Sequence, residues 1–408
     1  TVMNFYNKLK DAPLHWLVLV FILNVFGLMA LYSISQDSVT LSMSSRFVKF
    51  LFWFFPAIGT FFFFFAIPKR FIHEYSYIAV VLAFASLFLP YLTGPVAGTY
   101  RWVSLSGVSY QPAETMKWLI IIALARYLSD HRFKLKNARS MFVPIVAVLI
   151  PTVVVIKQPD LGSAVIVMAP LIPLLYWVGV KPLHIFLLLA PILSIITAFN
   201  YYTFTAWIIL IAVVLYLSQT TLRVMLTNFF VNIFLGLLTP LLWNGLHTYQ
   251  KERMLVLLDL TRDPLGAAYQ VIQSQTAIGS GGLWGKGFGR GTQTHLKFLP
   301  EQETDFIFSV IGEEFGFIAV AFILVLFAIL VLDMIQRAYR TSERFPSLVL
   351  FGIAALFMSH IFINVGMTVN LLPVKGLPLP FISYGGTFLV SCYSMLGLAM
   401  NMSVETND

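Results

Sequence analysis

The chain has 408 residues, 59% of them hydrophobic and only 11% charged, with a net charge of +8. Soluble domains carry about 25% charged residues, so a soluble globular fold is excluded. In so apolar a chain a positive excess reads as membrane topology and lipid contact, with no nucleic acid as partner. The one cysteine, Cys392, lies in the last apolar run and excludes an intramolecular disulfide.

In chain order, apolar runs fall at about 14–34, 47–67, 74–92, 113–129, 141–157, 162–180, 183–199, 204–218, 224–246, 305–334, 346–369 and 381–402. Most approach the ~20 residues that cross a bilayer core as a helix. None shows the short apolar–polar alternation of a barrel strand. The expected fold is an all-α polytopic integral membrane protein of about 10–12 transmembrane helices, one domain over 1–408 with a large extracytoplasmic loop at 247–304. The span count within 183–246 stays open, because the run at 204–218 is short. The first run lacks a small-residue cleavage site and reads as a retained span.

Lysine and arginine orient the chain. With the N-terminus inside, one side collects Lys8, Lys10, Lys69, Arg70, Arg126, Arg132, Lys134 and Lys136 among others, more than half of the chain's total of 26. Short loops rich in Lys and Arg mark the cytoplasmic side. Both termini are therefore expected in the cytoplasm and the 247–304 loop outside. That outer loop is itself positive, against the rule, which suggests an anionic ligand there.

The polar residues cluster on the outer side. "GTYRWVSLSGVSYQPAETMKW" brings Arg101, Trp102, Glu114 and Lys117, and the i,i+3 spacing of the last two lets them pair on one helix face. In "VIKQPDLGSA", Pro159 and Gly162 break the helix and Asp160 suits the N-cap of the next one. In "TRDPLGAAYQ", Asp263 before Pro264 reads as an N-cap followed by proline at the first helical position. "GSGGLWGKGFGRG" combines seven glycines with Lys286 and Arg290. Such backbone can form an anion-binding nest, or a plain flexible loop. It lacks the spacing of a nucleotide-binding P-loop. "FLPEQETDF" adds Glu301, Thr304 and Asp305, and "LLPVKGLPLPFISYGG" supplies a rigid, partly re-entrant segment with Lys375 and Ser383. Glu313 and Glu314 lie deeper, where His360 and Asn364 are candidate partners. One-sided clustering of a carboxylate and cations suits an interfacial enzyme with an anionic leaving group. A transporter would more often place its polar site at the midplane.

These motifs, in this order over nearly the whole chain, resemble the SEDS family of bacterial cell-wall proteins. "GTQ", "LKFLPE" and "PLPFISYGG" lie nearer to its elongation-type members than to its division-type members. The resemblance implies a peptidoglycan glycosyltransferase that polymerises lipid II at the outer face of the cytoplasmic membrane during cell elongation, releasing undecaprenyl pyrophosphate. It implies Asp263 of the D-P-x-G motif as the essential carboxylate, acting as general base. Supporting or pyrophosphate-binding positions are Arg101, Trp102, Glu114, Lys117, Asp160, Lys286, Glu301, Thr304, Asp305 and Ser383. A divalent cation such as Mg2+ or Mn2+ is a candidate cofactor. Expected partners are a class B penicillin-binding protein, which supplies transpeptidation, and other membrane proteins of the elongation complex. The chain itself offers no Ser-x-x-Lys nucleophile in a soluble domain. Pro112-Ala113-Glu114 stands where the family often has P-S-E, and Glu301-Gln302-Glu303-Thr304-Asp305 where it often has E-R-H-T-D. The competing readings are a lipid II flippase, a non-catalytic scaffold and a division-type polymerase.

Overall fold

In the computed structural model the described residues are 8–35, 46–95, 98–105, 108–130, 138–218, 221–246, 248–266, 268–296 and 298–404. The predicted cytoplasmic cations Arg132, Lys134 and Lys136 lie outside them. Contacts divide the chain into two compact units, one of residues 1–174 with 263–408 and the other of residues 175–262. The boundary at Asp263 falls inside the 247–304 segment.

In the first unit the helices are α1 (Leu14–Ser35), α2 (Arg46–Ala66), α3 (Lys69–Ser86), α4 (Pro112–Asp130), α5 (Ala138–Lys157) and α6 (Leu161–Met168). Helix α7 (Leu171–Trp177) leads into the second unit, which holds α8 (Pro182–Thr197), α9 (Tyr201–Leu217), α10 (Leu222–Asn244) and α11 (Thr248–Leu258). The chain then returns to the first unit with α12 (Tyr269–Gly281), α13 (Thr292–His295), α14 (Ile307–Arg340), α15 (Arg344–Thr368) and α16 (Gly386–Ser403).

Among the described residues, six helical stretches are long and apolar enough to cross a membrane: Leu14–Ser35, Arg46–Ala66, Lys69–Thr93, Leu222–Asn244, Ile307–Arg340 and Arg344–Thr368. Four shorter apolar helices occupy Met141–Lys157, Leu161–Trp177, Pro182–Thr197 and Tyr201–Leu217. Helices α4 and α16, richer in polar residues, coincide with two further apolar runs. Each run read from the sequence therefore carries helix. This is a polytopic α-helical membrane protein. One short hairpin was not anticipated: β1 (Val103–Leu105) pairs antiparallel with β2 (Val108–Tyr110), Val103 opposite Tyr110 and Ser104 opposite Ser109.

The core of the first unit is built on α4, α14, α15 and α16, where Met116, Ile121 and Phe357 are fully buried, as are Phe306 just before α14 and Phe381 in the segment before α16. Helix α16 lies along α2. Asn401 at its end donates to Phe64 O at 2.8 Å and Ile67 O at 2.7 Å, satisfying carbonyls that the end of α2 leaves unpaired. Helix α1 meets α14 through Trp16, whose indole N–H donates to Asp333 at 2.7 Å. Helix α14 is broken at Gly316, whose φ of 77° is open to glycine at low cost.

The second unit has its own apolar cluster of Leu187, Ala190, Ile211 and Leu215. A buried polar tie crosses three helices: Ser194 Oγ donates to Asn232 Oδ1 at 2.7 Å and accepts from Trp207 Nε1 at 2.9 Å. Hydrogen bonds of this kind hold helices together where lipid offers no hydrophobic drive. At the end of this unit Arg262 turns to Glu252 at 3.5 Å. The exposed Asp259 accepts from Thr261 Oγ1 and Thr261 N, and these bonds hold its carboxyl below the usual aspartate range.

Candidate functional site

Asp263 does not cap a helix. The next helix, α12, begins at Tyr269 with Ala268 at its N-cap. Asp263 heads the turn before it: its carbonyl accepts from Gly266 N at 3.3 Å and Ala268 N at 3.1 Å. Pro264 makes a cap reading attractive, but the chain closes into this turn first. The half-buried Asp263 carboxylate folds over Gly266, and a methyl group added there would fall on it. Gly266→Ala is therefore expected to displace the carboxylate and lower any activity that depends on it by about 100-fold, the scale of a 1 Å misplacement. Gly266 itself is exposed, so thermal unfolding of the variant should match the parent. Unchanged activity would mean that the carboxylate's position is not critical.

A second group is built where α4 and α6 begin. Glu114 and Lys117 pair as expected, Nζ to Oε1 at 2.6 Å, and both side chains are almost wholly buried. Asp160 does cap α6: its Oδ1 accepts from Ser163 N at 3.0 Å. Its Oδ2 accepts from Gln111 Nε2 at 2.9 Å, so both carboxylate oxygens are engaged. Asp160 and Glu114 stand within electrostatic range of each other, as do Lys117 and His360 of α15. Lys117 offers three N–H donors, and the carboxylate of Glu114 takes one of them. Arg101 is placed differently. Its guanidinium donates to the carbonyls of Gln158 and Pro159, which end α5. Trp102 beside it is half-buried.

A third group joins 301–306 to the irregular segment 369–385. Ser383 Oγ donates to Thr304 O at 2.5 Å and accepts from Leu379 N at 2.8 Å. Tyr384 N donates to Glu303 O at 2.8 Å, and the Glu303 carboxylate pairs with Arg46 at 2.7 Å. Asn364 donates to Asp305 O and Leu377 O. The Asp305 carboxylate lies against Gly376, and the backbone of Lys375 lies against Gly162 of α6. The second and third groups are thus in contact through 375–377. Thr304 Oγ1 stays local to Glu301, which is exposed. The segment around Leu379 and Phe381 is buried, irregular chain.

The two deep acids do not reach His360 or Asn364. The Glu313 carboxylate accepts from Lys286 Nζ at 2.7 Å, Thr292 Oγ1 at 3.1 Å, Gln293 N at 3.0 Å, and Thr294 N and Oγ1 at 3.3 and 3.1 Å. Glu314 accepts from Ser33 of α1 and lies 3.8 Å from His295. Lys286 is thus directed into the protein toward Glu313, not outward as an anion cradle. Gln111 and Ser33 were not singled out from the sequence, because their partners Asp160 and Glu314 lie 49 and 281 residues away.

The family model described as cell cycle protein, FtsW/RodA/SpoVE, matches residues 14–207 and 183–408. The chain belongs to this family. It is 34% identical to the peptidoglycan glycosyltransferase MrdB of Escherichia coli K12, over 76% of this chain and 72% of that one. It is 33% identical to a probable peptidoglycan glycosyltransferase FtsW of Geobacter sp. M18, over 78% and 75%. Two solved structures share the fold. A chain from the work described as "Structural coordination of polymerization and crosslinking by a peptidoglycan synthase complex" aligns with a TM-score of 0.71 at 22% identity, covering 96% and 97%. The rod shape determining protein RodA of Thermus thermophilus aligns at 0.62 and 21% identity, covering 96% of each. The FtsW/RodA/SpoVE fold thus accounts for both the helical membrane architecture and the chain order of its motifs.

Proposed function

We propose that this chain is a peptidoglycan glycosyltransferase that polymerises lipid II during cell elongation. The observation that carries the reading is the 34% identity to MrdB, which spans most of both chains. The motifs nearer to elongation-type members favour that role over division.

The reaction joins two lipid-linked disaccharides. The 4-hydroxyl of an acceptor N-acetylglucosamine attacks the anomeric carbon of the donor N-acetylmuramic acid. The bond from that carbon to the pyrophosphate oxygen breaks, and undecaprenyl pyrophosphate leaves with the electron pair. Asp263 accepts the hydroxyl proton as general base. Lys117 faces the developing negative charge of the leaving group, and Glu114 fixes the ammonium. Asp160, with both oxygens engaged, acts as a positioning residue between α4 and α6. Arg101 and Trp102 close the adjoining loop. Thr304, Asp305, Ser383 and Glu301 shape the wall formed by 301–306 and 376–384.

Among the described residues no group of three or more His, Cys, Asp or Glu could hold a metal. A Mg2+ or Mn2+ ion that arrives with the substrate would be held by its pyrophosphate with one or two carboxylates, the usual arrangement for Mg2+. It would neutralise leaving-group charge.

The protein lies in the cytoplasmic membrane with both termini inside and its site on the outer face, and works beside a class B penicillin-binding protein. The structural relative taken from a peptidoglycan synthase complex supports such a partner. The test is direct. The purified protein, with and without that partner, is given lipid II, and glycan polymer is read on a gel. Polymer is expected, with a lower yield after chelation that Mg2+ restores. Absence of polymer with the partner present overturns the reading in favour of a flippase or scaffold.

A further inference from the structure

Residues 269–296 do not simply lie over the bundle. Ser274 of α12 hydrogen-bonds Ser309 near the start of α14, at 2.7 Å. One and two turns on, Ile278 and Gly281 pack against Gly312. The chain then meets the break in α14: Phe317 N donates to Gly282 O at 2.9 Å and Ile318 N to Leu283 O at 3.2 Å. In return, Lys286 N donates to Glu313 O at 2.9 Å and Gly287 N to Glu314 O at 3.0 Å. The segment next turns back, and Thr292, Gln293 and Thr294 converge on the Glu313 carboxylate. Helix α12 therefore runs alongside the start of α14 as far as Gly312, and the chain beyond it reaches the break at Gly316, about 10 Å past Ser309 at 1.5 Å per residue, before it comes back. Helix α14 is one of the membrane-crossing stretches. Irregular backbone at such depth needs protein partners for its polar groups, and the break at Gly316 and the glycine-rich loop supply them to each other.

We infer that 269–296 is a re-entrant element locked by the Lys286–Glu313 pair, and that these two are positioning residues for Asp263. Asp263 heads the turn that enters α12. The axis of α12 is fixed at its middle by Ser274 Oγ on Thr368 O and Gln275 Nε2 on Val369 O, and beyond its end by the five donors on Glu313. Loosening the far end lets the helix shift, and Asp263 shifts with it. Lys286 acts through Glu313 and not on substrate. The role in positioning rests on Asp263 being the base proposed above; the lock itself does not.

The test uses full-length protein carrying Lys286→Met, Glu313→Gln, both together, or Asp263→Asn. Hydrogen exchange of peptides covering 282–296 and lipid II polymerisation are measured on each. Lys286→Met leaves a buried carboxylate without its cation. It should speed exchange in 282–296 and lower kcat by on the order of tenfold or more, within the ~10²-fold that a 1 Å misplacement brings, with KM little changed. The double variant removes both charges and should recover exchange protection and kcat toward the parent. Two results overturn the inference: exchange that Lys286→Met leaves unaltered, or a raised KM that Glu313→Gln does not rescue, which would make Lys286 a substrate contact. Asp263→Asn should lose polymerisation with exchange at 282–296 intact. If it keeps polymerisation while Lys286→Met still loosens the loop, the base assignment falls and the lock stands.

Discussion

Asp263→Asn is expected to lower the polymerisation rate by about 10²–10⁴-fold, the range that a positioned general base contributes. Asn keeps the shape of the side chain and can still rest over Gly266, so the turn closed by Gly266 N and Ala268 N on the Asp263 carbonyl should survive. What is lost is the ability to take a proton. The variant should therefore unfold at the parent's temperature and still bind lipid II while producing no glycan strand on the gel. A well-folded Asn variant that polymerises at the parental rate would remove Asp263 from the chemistry. Asp263→Glu is the informative companion. It retains the base but lengthens it by one methylene, and partial activity there would tie function to the carboxylate itself.

The second large effect concerns Glu114 and Lys117. Their 2.6 Å pair sits in a nearly dry environment. Breaking a buried pair by removing one partner costs about 3–5 kcal/mol, because the remaining charge is uncompensated. Lys117→Met and Glu114→Gln are thus each expected to lower thermal stability. The double variant, neutral and of similar volume, should recover most of it. Polymerisation should behave otherwise: the double variant stays inactive, since the cation facing the pyrophosphate is gone. Recovery of both stability and activity in the double variant would reduce the pair to a structural role.

Much of this was readable from spacing. The apolar runs foretold the helices because a bilayer imposes its thickness on every span. The Glu114–Lys117 pair followed from i,i+3 geometry, and the cap at Asp160 from the helix break at Pro159. The misreadings have a common cause. Asp263 looked like an N-cap because Pro264 follows it, yet Gly266 lets the chain turn first and moves the helix start to Tyr269. Glu313 and Glu314 were matched to residues on the neighbouring span, while their true partners lie 19 to 27 residues earlier and, for Ser33, in the first helix. Local spacing rules describe one helix face or one turn. They are silent about which distant donor a buried carboxylate will find.

The dependence of 269–296 on α14 also sets an order of events at the ribosome. The segment is synthesised before the helix that satisfies its backbone, since Lys286 N and Gly287 N need the carbonyls of Glu313 and Glu314. Until those residues emerge, its polar backbone has no partner within hydrocarbon. It must wait at the aqueous surface and fold inward only after α14 has entered the membrane. The segment that follows Asp263 therefore reaches its final hydrogen bonding only once Glu313 to Ile318 have been made.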